Sequence, residues 1–174
     1  MIGTVETSIK GIVMGENHVL FQFTAMAGMK KVMEGVSWTL DKNIVLLKDF
    51  NGDVQPSKLK FRDCTFWVRL YSLPLNHMDA ESGYFLGNKI GTTLIVDGDD
   101  DCMAWGKFLR VRVSIDINKS LPRFIKLLFG GVSNIIFFQY KRLQNFCYHY
   151  GLLGHGEKDC ESRTLNHVFS LWQK

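Results

Sequence analysis

Thiol and imidazole groups concentrate in residues 146–160, whose sequence is Phe-Cys-Tyr-His-Tyr-Gly-Leu-Leu-Gly-His-Gly-Glu-Lys-Asp-Cys. Within it, Cys147, His155 and Cys160 offer two thiolates and an imidazole, the ligand types that hold zinc in proteins. Their short spacing allows one tight turn and the loop that follows it to close around a single ion. The segment therefore predicts a compact zinc site.

The spacing matches the first, third and fourth ligands of a zinc knuckle, C-x2-C-x4-H-x4-C. Tyr150 stands at the second position, and a phenol with a pKa of about 10 is a poor zinc ligand. His149 is an alternative fourth ligand that requires a different turn. Gly151 and Gly154 permit backbone conformations that a short loop between ligands needs. The segment either binds zinc without the usual second cysteine or has lost the metal.

The composition of the whole chain is that of a soluble globular protein, with 174 residues, 46% hydrophobic, 22% charged and a net charge of +4. The length suits one domain and a small appendage. Four cysteines, two of them in the knuckle segment, do not make a disulfide framework and favour an intracellular protein, nuclear or cytoplasmic. No signal peptide is visible, and no apolar run is long enough for a membrane span.

Hydrophobic periodicity and turn residues predict an α+β fold. We expect an antiparallel sheet with helices packed on one face, ferredoxin-like or RNA-recognition-like, followed by the small knuckle segment. Glycines at 130 and 131 predict a hairpin between the last two strands. The predicted domains are residues 1–143, the knuckle at 144–162 and a tail at 163–174. The predicted helices span 25–34 and 79–89, and the main predicted strands span 18–24, 43–50, 66–71, 92–96, 108–117, 123–129 and 134–140.

Two of these strands, 66–71 and 108–117, alternate apolar side chains with aromatic and basic ones. Since successive side chains of a strand point to opposite faces, one face of each is core and the other carries rings and cations. Such an open face suits single-stranded nucleic acid, with a stacked base contributing about 1–3 kcal/mol. Alternatively, other strands cover this face, and its aromatics are core residues. The side chains on this face are Trp67, Arg69, Tyr71, Phe108, Arg110 and Arg112.

Basic residues also cluster along the chain between Lys107 and Lys126, where six of them accompany one acidic residue, Asp116. This segment favours an anionic partner, although a solvated charged face is an equally good interpretation. We therefore predict a nucleic-acid interface that joins the open face to the aromatics of the knuckle. Its predicted members are Trp67, Arg69, Phe108, Arg110, Arg112, Phe146 and Tyr148.

Several short motifs, taken in order, resemble one known family over roughly residues 18–162. They are Trp67-Val68-Arg69-Leu70 with Leu73-Pro74, Ile90-Gly91, Leu94-Ile95-Val96-Asp97, Phe108-Leu109-Arg110-Val111-Arg112-Val113, Phe146-Cys147, Gly154-His155 and Cys160. The chain resembles the plant domain of unknown function found in retroelement-derived, gag-like proteins with a C-terminal zinc knuckle. The resemblance implies nucleic-acid binding and no enzymatic activity.

The sequence departs from that family at Tyr150, and at Ser120 and Gln144, where the family has prolines. The family's opening strand and helix are replaced by residues 1–17, so we expect an N-terminally truncated copy. The hypothesis we favour is non-catalytic binding of single-stranded RNA or DNA, without membrane association. The alternatives are a protein-interaction or assembly module, with possible self-association, and a decayed retroelement remnant without zinc.

Overall fold

The computed structural model describes residues 9–15, 17–35, 37–97 and 106–160. These residues form two α-helices, eleven β-strands and three short 3₁₀ turns at Pro56–Lys58, Leu75–His77 and Glu157–Asp159. In chain order the elements are β1 (Ile9–Gly15), β2 (His18–Phe23), α1 (Met26–Met33), β3 (Trp38–Leu40), β4 (Asn43–Val45), β5 (Asp63–Tyr71), α2 (Ala80–Gly87), β6 (Thr92–Val96), β7 (Phe108–Asp116), β8 (Phe124–Phe129), β9 (Val132–Tyr140), β10 (Phe146–Cys147) and β11 (Leu152–Leu153).

The centre of the described chain is a five-stranded sheet of order β6-β7-β5-β9-β8, in which every neighbouring pair is antiparallel. β5 and β7 pair over their full length, from Asp63 opposite Asp116 to Tyr71 opposite Phe108. The predicted alternation is confirmed, since every second residue of β5 is buried. The buried apolar side chains of the three central strands form the core face, and they are Cys64, Phe66, Val68, Leu70, Leu109, Val111, Val113, Ile115, Ile136, Phe138 and Tyr140.

Helix α2 packs on this core face. The Asp79 side chain accepts a hydrogen bond of 2.7 Å from the Ser82 N–H, which caps the helix N-terminus. Gly83 faces the sheet so closely that a Cβ there would lie 2.6 Å from the Val96 side chain. Glycine lowers intrinsic helix propensity, yet at this position its small size permits the close approach of helix and sheet.

The antiparallel α+β architecture is confirmed, but the ferredoxin-like arrangement β-α-β-β-α-β is not. The chain follows it from β5 through α2, β6 and β7, and then continues as the β8-β9 hairpin where that arrangement has a helix and a strand. Helix α1 also does not share the face of α2. Its Met33 carbonyl accepts a hydrogen bond from Arg112, which lies on the face opposite the core.

The remaining strands form three two-stranded sheets, β1-β2, β3-β4 and β10-β11. The strand predicted at 43–50 is short, since β4 ends at Val45, although Ile44 and Leu46 still pack against the core. The predicted tail, 163–174, lies outside the described residues. Among the described helices, none combines the length and apolar character needed to cross a membrane.

Candidate metal centre and nucleic-acid interface

The three predicted metal ligands come together. The ligand atoms of Cys147, His155 and Cys160 all lie within 4.8 Å of one another, and both cysteines are buried. In a tetrahedral zinc site with bonds of about 2.0–2.3 Å, neighbouring ligand atoms are ~3.3–3.8 Å apart. Separations of at most 4.8 Å are close to these values, so a small contraction at most would close the group around an ion. Two thiolates and an imidazole also suit zinc chemically, and the residues therefore fit the metal.

A small hairpin positions these ligands. Strands β10 and β11 pair Cys147 with Leu152, and the Gly151 N–H donates a 2.7 Å hydrogen bond to the Cys147 carbonyl, which closes the turn between them. Gly151 and Gly154 have φ angles of +73° and +104°, a region that residues with a Cβ rarely adopt. The predicted role of these two glycines in the loop is confirmed by the backbone.

The knuckle hairpin is docked on the core of the sheet. The Phe146 side chain is only 6% exposed and belongs to the hydrophobic core, and Leu153 packs against the same cluster. The Leu121 N–H donates a 2.7 Å hydrogen bond to the Gly151 carbonyl, which fixes the turn. Burial removes Phe146 from the candidate nucleic-acid interface, where the sequence had placed it. Tyr148, in edge contact with the Phe146 ring, is 51% exposed and stays in it.

The fourth ligand position has no cysteine or histidine in the described group. Tyr150, which occupies the second knuckle position, is 45% exposed. His149 is not part of the group either, and its exposed ring lies 4.7 Å from the Tyr150 ring. The described residues thus offer three strong zinc ligands and leave one coordination position to a weaker donor or to water.

On the face opposite the core, guanidinium groups lie over aromatic rings. Arg110 is 4.4 Å from the centre of the Trp67 ring, and Arg69 is 4.5 Å from the centre of the Phe108 ring. The four side chains are all partly exposed, so this face is neither a dry core nor a set of bare rings. We call them the stacked cluster. Arg110 also approaches the Asp97 carboxylate, with Nε 3.2 Å from an oxygen, which offsets part of its charge.

Arg112 does not belong to the exposed surface. It is only 7% exposed, and its guanidinium donates a 3.1 Å hydrogen bond to the Met33 carbonyl at the end of α1. Sequence alternation placed it correctly on this face but contained no sign that α1 covers it. We therefore remove Arg112 from the candidate interface.

The open face extends onto the β8-β9 hairpin, which the sequence analysis did not include in the interface. Phe124, Leu128 and Ile135 are 55%, 73% and 44% exposed on this side of the sheet. The regular alternation of exposed and half-buried residues along β8 is the signal that could have predicted this extension of the open face. Gln139 joins this region to the stacked cluster, since its side-chain oxygen accepts hydrogen bonds from Tyr71 at 3.0 Å and Arg69 at 3.5 Å.

Titratable groups of the core are perturbed by burial. Burial raises the pKa of the Cys64 thiol to about 11, which makes it unreactive near neutral pH. Burial likewise raises the pKa of Tyr140, whose hydroxyl donates a 2.6 Å hydrogen bond to the Pro122 carbonyl. Both groups are structural, and neither lies in the metal group.

Comparison with known proteins supports the metal centre. Residues 115–162 match the zinc knuckle family, a segment that runs from the end of β7 past Cys160. An uncharacterized protein of Arabidopsis thaliana is 27% identical over 100 residues, which is 57% of this chain and 32% of that protein. The chain thus spans about a third of the length of that relative. No solved structure matches the chain. Its C-terminal part is therefore similar to a zinc knuckle of the CCHC type, with Tyr150 at the position of one cysteine.

Proposed function

We propose that the protein binds single-stranded nucleic acid without catalysis, as part of a retroelement-derived, gag-like protein. The observation that supports this best is the knuckle hairpin, which brings Cys147, His155 and Cys160 within 4.8 Å of one another while it exposes the Tyr148 ring. Zinc knuckles recognise single strands through unstacked bases, and an exposed aromatic is the surface on which a base stacks. Bound zinc supplies a cross-link that keeps the hairpin rigid.

The stacked cluster contributes a second binding surface on the opposite side of the sheet. Because Arg110 and Arg69 cover the rings of Trp67 and Phe108, the rings are only partly accessible to bases. The guanidinium groups themselves offer planes on which bases stack, and they attract phosphates. The rings hold the arginines in place, which lowers the entropy lost on binding. We therefore propose that each pair of an aromatic ring and a guanidinium group contacts bases together.

The absence of catalysis is part of the proposal. Two thiolates and one imidazole with an open position also describe a catalytic zinc ion. In this chain the ligands lie in a short hairpin whose turn exposes Tyr148, His149 and Tyr150 to solvent, a setting that does not shield a substrate from water. A rigid structural site is the function that this setting favours.

Fluorescence anisotropy of a labelled single-stranded RNA tests the proposal. The wild type should bind with an affinity that falls as salt rises, and a zinc chelator should weaken binding by removing the knuckle contribution. The double variant Arg69→Gln, Arg110→Gln should bind at least about tenfold more weakly, since it loses two cations and the planes they present. A matched control is Lys89→Gln, Lys119→Gln, which removes the same charge from the opposite end of the sheet.

Equal affinity of the two double variants would refute the role of the stacked cluster. A folded wild type that does not bind RNA or DNA at low salt would refute the proposed function as a whole. A hydrolase or deaminase activity that requires Cys160 would refute the non-catalytic assignment.

A specific observation also favours an assembly function. Strand β8 is an edge of the five-stranded sheet and exposes Phe124 and Leu128, and exposed apolar edge strands pair with other chains. Lys126 lies between them and opposes such pairing, which is why we rank assembly second. Light scattering that shows a stable dimer, lost in Leu128→Lys, would raise assembly to first place.

A further inference from the structure

A basic pocket lies at the end of strand β9. It has a volume of about 220 Å³ and is lined by Arg69, Gln139, Tyr140, Lys141 and Arg142. A phosphate group with part of its hydration shell fits in that space.

The charges around the pocket favour an anion. Three of its five lining residues are cations, and no ion pair joins them to a carboxylate among the described residues. The Arg69 guanidinium has a buried Nε without a hydrogen-bond partner in the described part of the chain. The Gln139 side chain can donate through its amide because its oxygen is engaged by Tyr71 and Arg69. Donors and positive charge therefore converge on one small space.

The pocket lies where β9 ends beside β5. Gln139 points to the open face with Arg69, and Tyr140 is the last residue of β9. The Lys141 N–H donates a 2.8 Å hydrogen bond to the Trp67 carbonyl, which ties the chain to β5 as it leaves the sheet. The knuckle begins only four residues after Arg142, so the Cα atoms of Arg142 and Phe146 are at most ~14 Å apart.

Arg142 adopts a φ of +57°, which is uncommon for a residue with a Cβ. This conformation turns the chain immediately after Lys141 and places two successive cations at the pocket. An asparagine adopts the same conformation more readily than most residues, so the charge can be removed without disturbing the turn.

We infer that this pocket binds one backbone phosphate of a single-stranded nucleic acid as the strand passes from the stacked cluster around the end of β9 to the knuckle. The inference rests on the proposed function for its ligand. It adds a specific anchoring site that uses Lys141 and Arg142, which belong neither to the stacked cluster nor to the metal group.

The salt dependence of binding measures phosphate contacts directly. For single strands, log Kobs falls with log[salt] by ~0.7 for each phosphate that is neutralised. The variant Lys141→Gln, Arg142→Asn should have a slope smaller by about 0.7 than the wild type. Over a fourfold rise in salt, wild-type affinity should then fall about 2.6-fold more than that of the variant. The control Lys89→Gln, Lys119→Gln has the same net charge and should keep the wild-type slope. Single-stranded RNA and DNA of one length should give the same difference, since they share the phosphate.

A second measurement does not depend on nucleic acid. Titration with inorganic phosphate, followed by NMR, should shift the backbone amides of 139–142 in the wild type and not in Lys141→Gln, Arg142→Asn. If RNA binds and both double variants have equal slopes, the pocket assignment is wrong while the proposed function stands. If RNA does not bind but phosphate shifts these amides, the anion site stands and the proposed function is wrong. Absence of both effects overturns both.

Discussion

Replacing Tyr150 by cysteine should restore the second ligand of the knuckle and tighten zinc binding. The Gly151 N–H closes the turn onto the Cys147 carbonyl at 2.7 Å, so position 150 stays within one turn of the first ligand. Structural zinc peptides with four ligands bind with about 10–16 kcal/mol at pH 7, or about 2.5–4 kcal/mol per ligand. One added thiolate is then expected to lower the zinc Kd by about 10²- to 10³-fold. The His149–Tyr150 ring contact is lost with and without metal, so it does not enter the Kd.

Competition with a chromogenic chelator at pH 7, under reducing conditions, measures this change. Tyr148→Cys is the matched control, because it places a thiol at another exposed position of the same turn. Only Tyr150→Cys should tighten binding. An unchanged Kd, or equal tightening in both variants, would refute the assignment of position 150 as the open ligand position.

Two further changes test the sheet. Gly83→Ala should destabilise the protein by about 1–2 kcal/mol in urea unfolding, because the new Cβ would lie 2.6 Å from Val96 and overpacking outweighs the gain in helix propensity. A gain in stability would contradict the close helix-sheet contact. The Cys64 thiol, with its pKa raised by burial to about 11, stays protonated in the folded chain after the unfolded chain has ionised near pH 9. The wild type should therefore lose about 2 kcal/mol of stability between pH 9 and 11 that Cys64→Ala does not lose, and parallel pH profiles would contradict this.

The parts of the fold that depend on local pattern were predictable from the sequence. Side-chain alternation along β5 and β7 identified the core face, and Gly130-Gly131 marked the β8-β9 hairpin. The ligand spacing identified Cys147, His155 and Cys160 as a group. Each of these signals lies within a short stretch of chain, where periodicity or a turn determines geometry.

The parts that depend on long-range packing were not predictable. Arg112 and Phe146 were assigned to a nucleic-acid surface, and both are buried, one beneath the end of α1 and the other in the sheet core. Side-chain alternation predicts which face of the sheet a residue lies on. Whether another element covers that residue depends on the topology of the whole fold. The contact of Arg110 with the Trp67 ring was unpredictable for the same reason, because it depends on the register in which β5 pairs with β7. From residue type alone, the aromatic rings and the arginines of this face were expected to act as separate binding groups.

The docking of the knuckle also changes what zinc does for this protein. In a knuckle joined to the rest of the protein only by a flexible linker, the metal would order the knuckle alone. Here Phe146 and Leu153 pack against the sheet core next to the candidate ligand Cys147. Any ligand that binds only the folded state stabilises it, by about 2.7 kcal/mol at a free concentration of 100 Kd. Because the hairpin shares the core, that stabilisation extends to the sheet that holds the stacked cluster. Under the proposed function, bound zinc would therefore support nucleic-acid binding on both faces, through the rigidity of the hairpin on one and the stability of the sheet on the other.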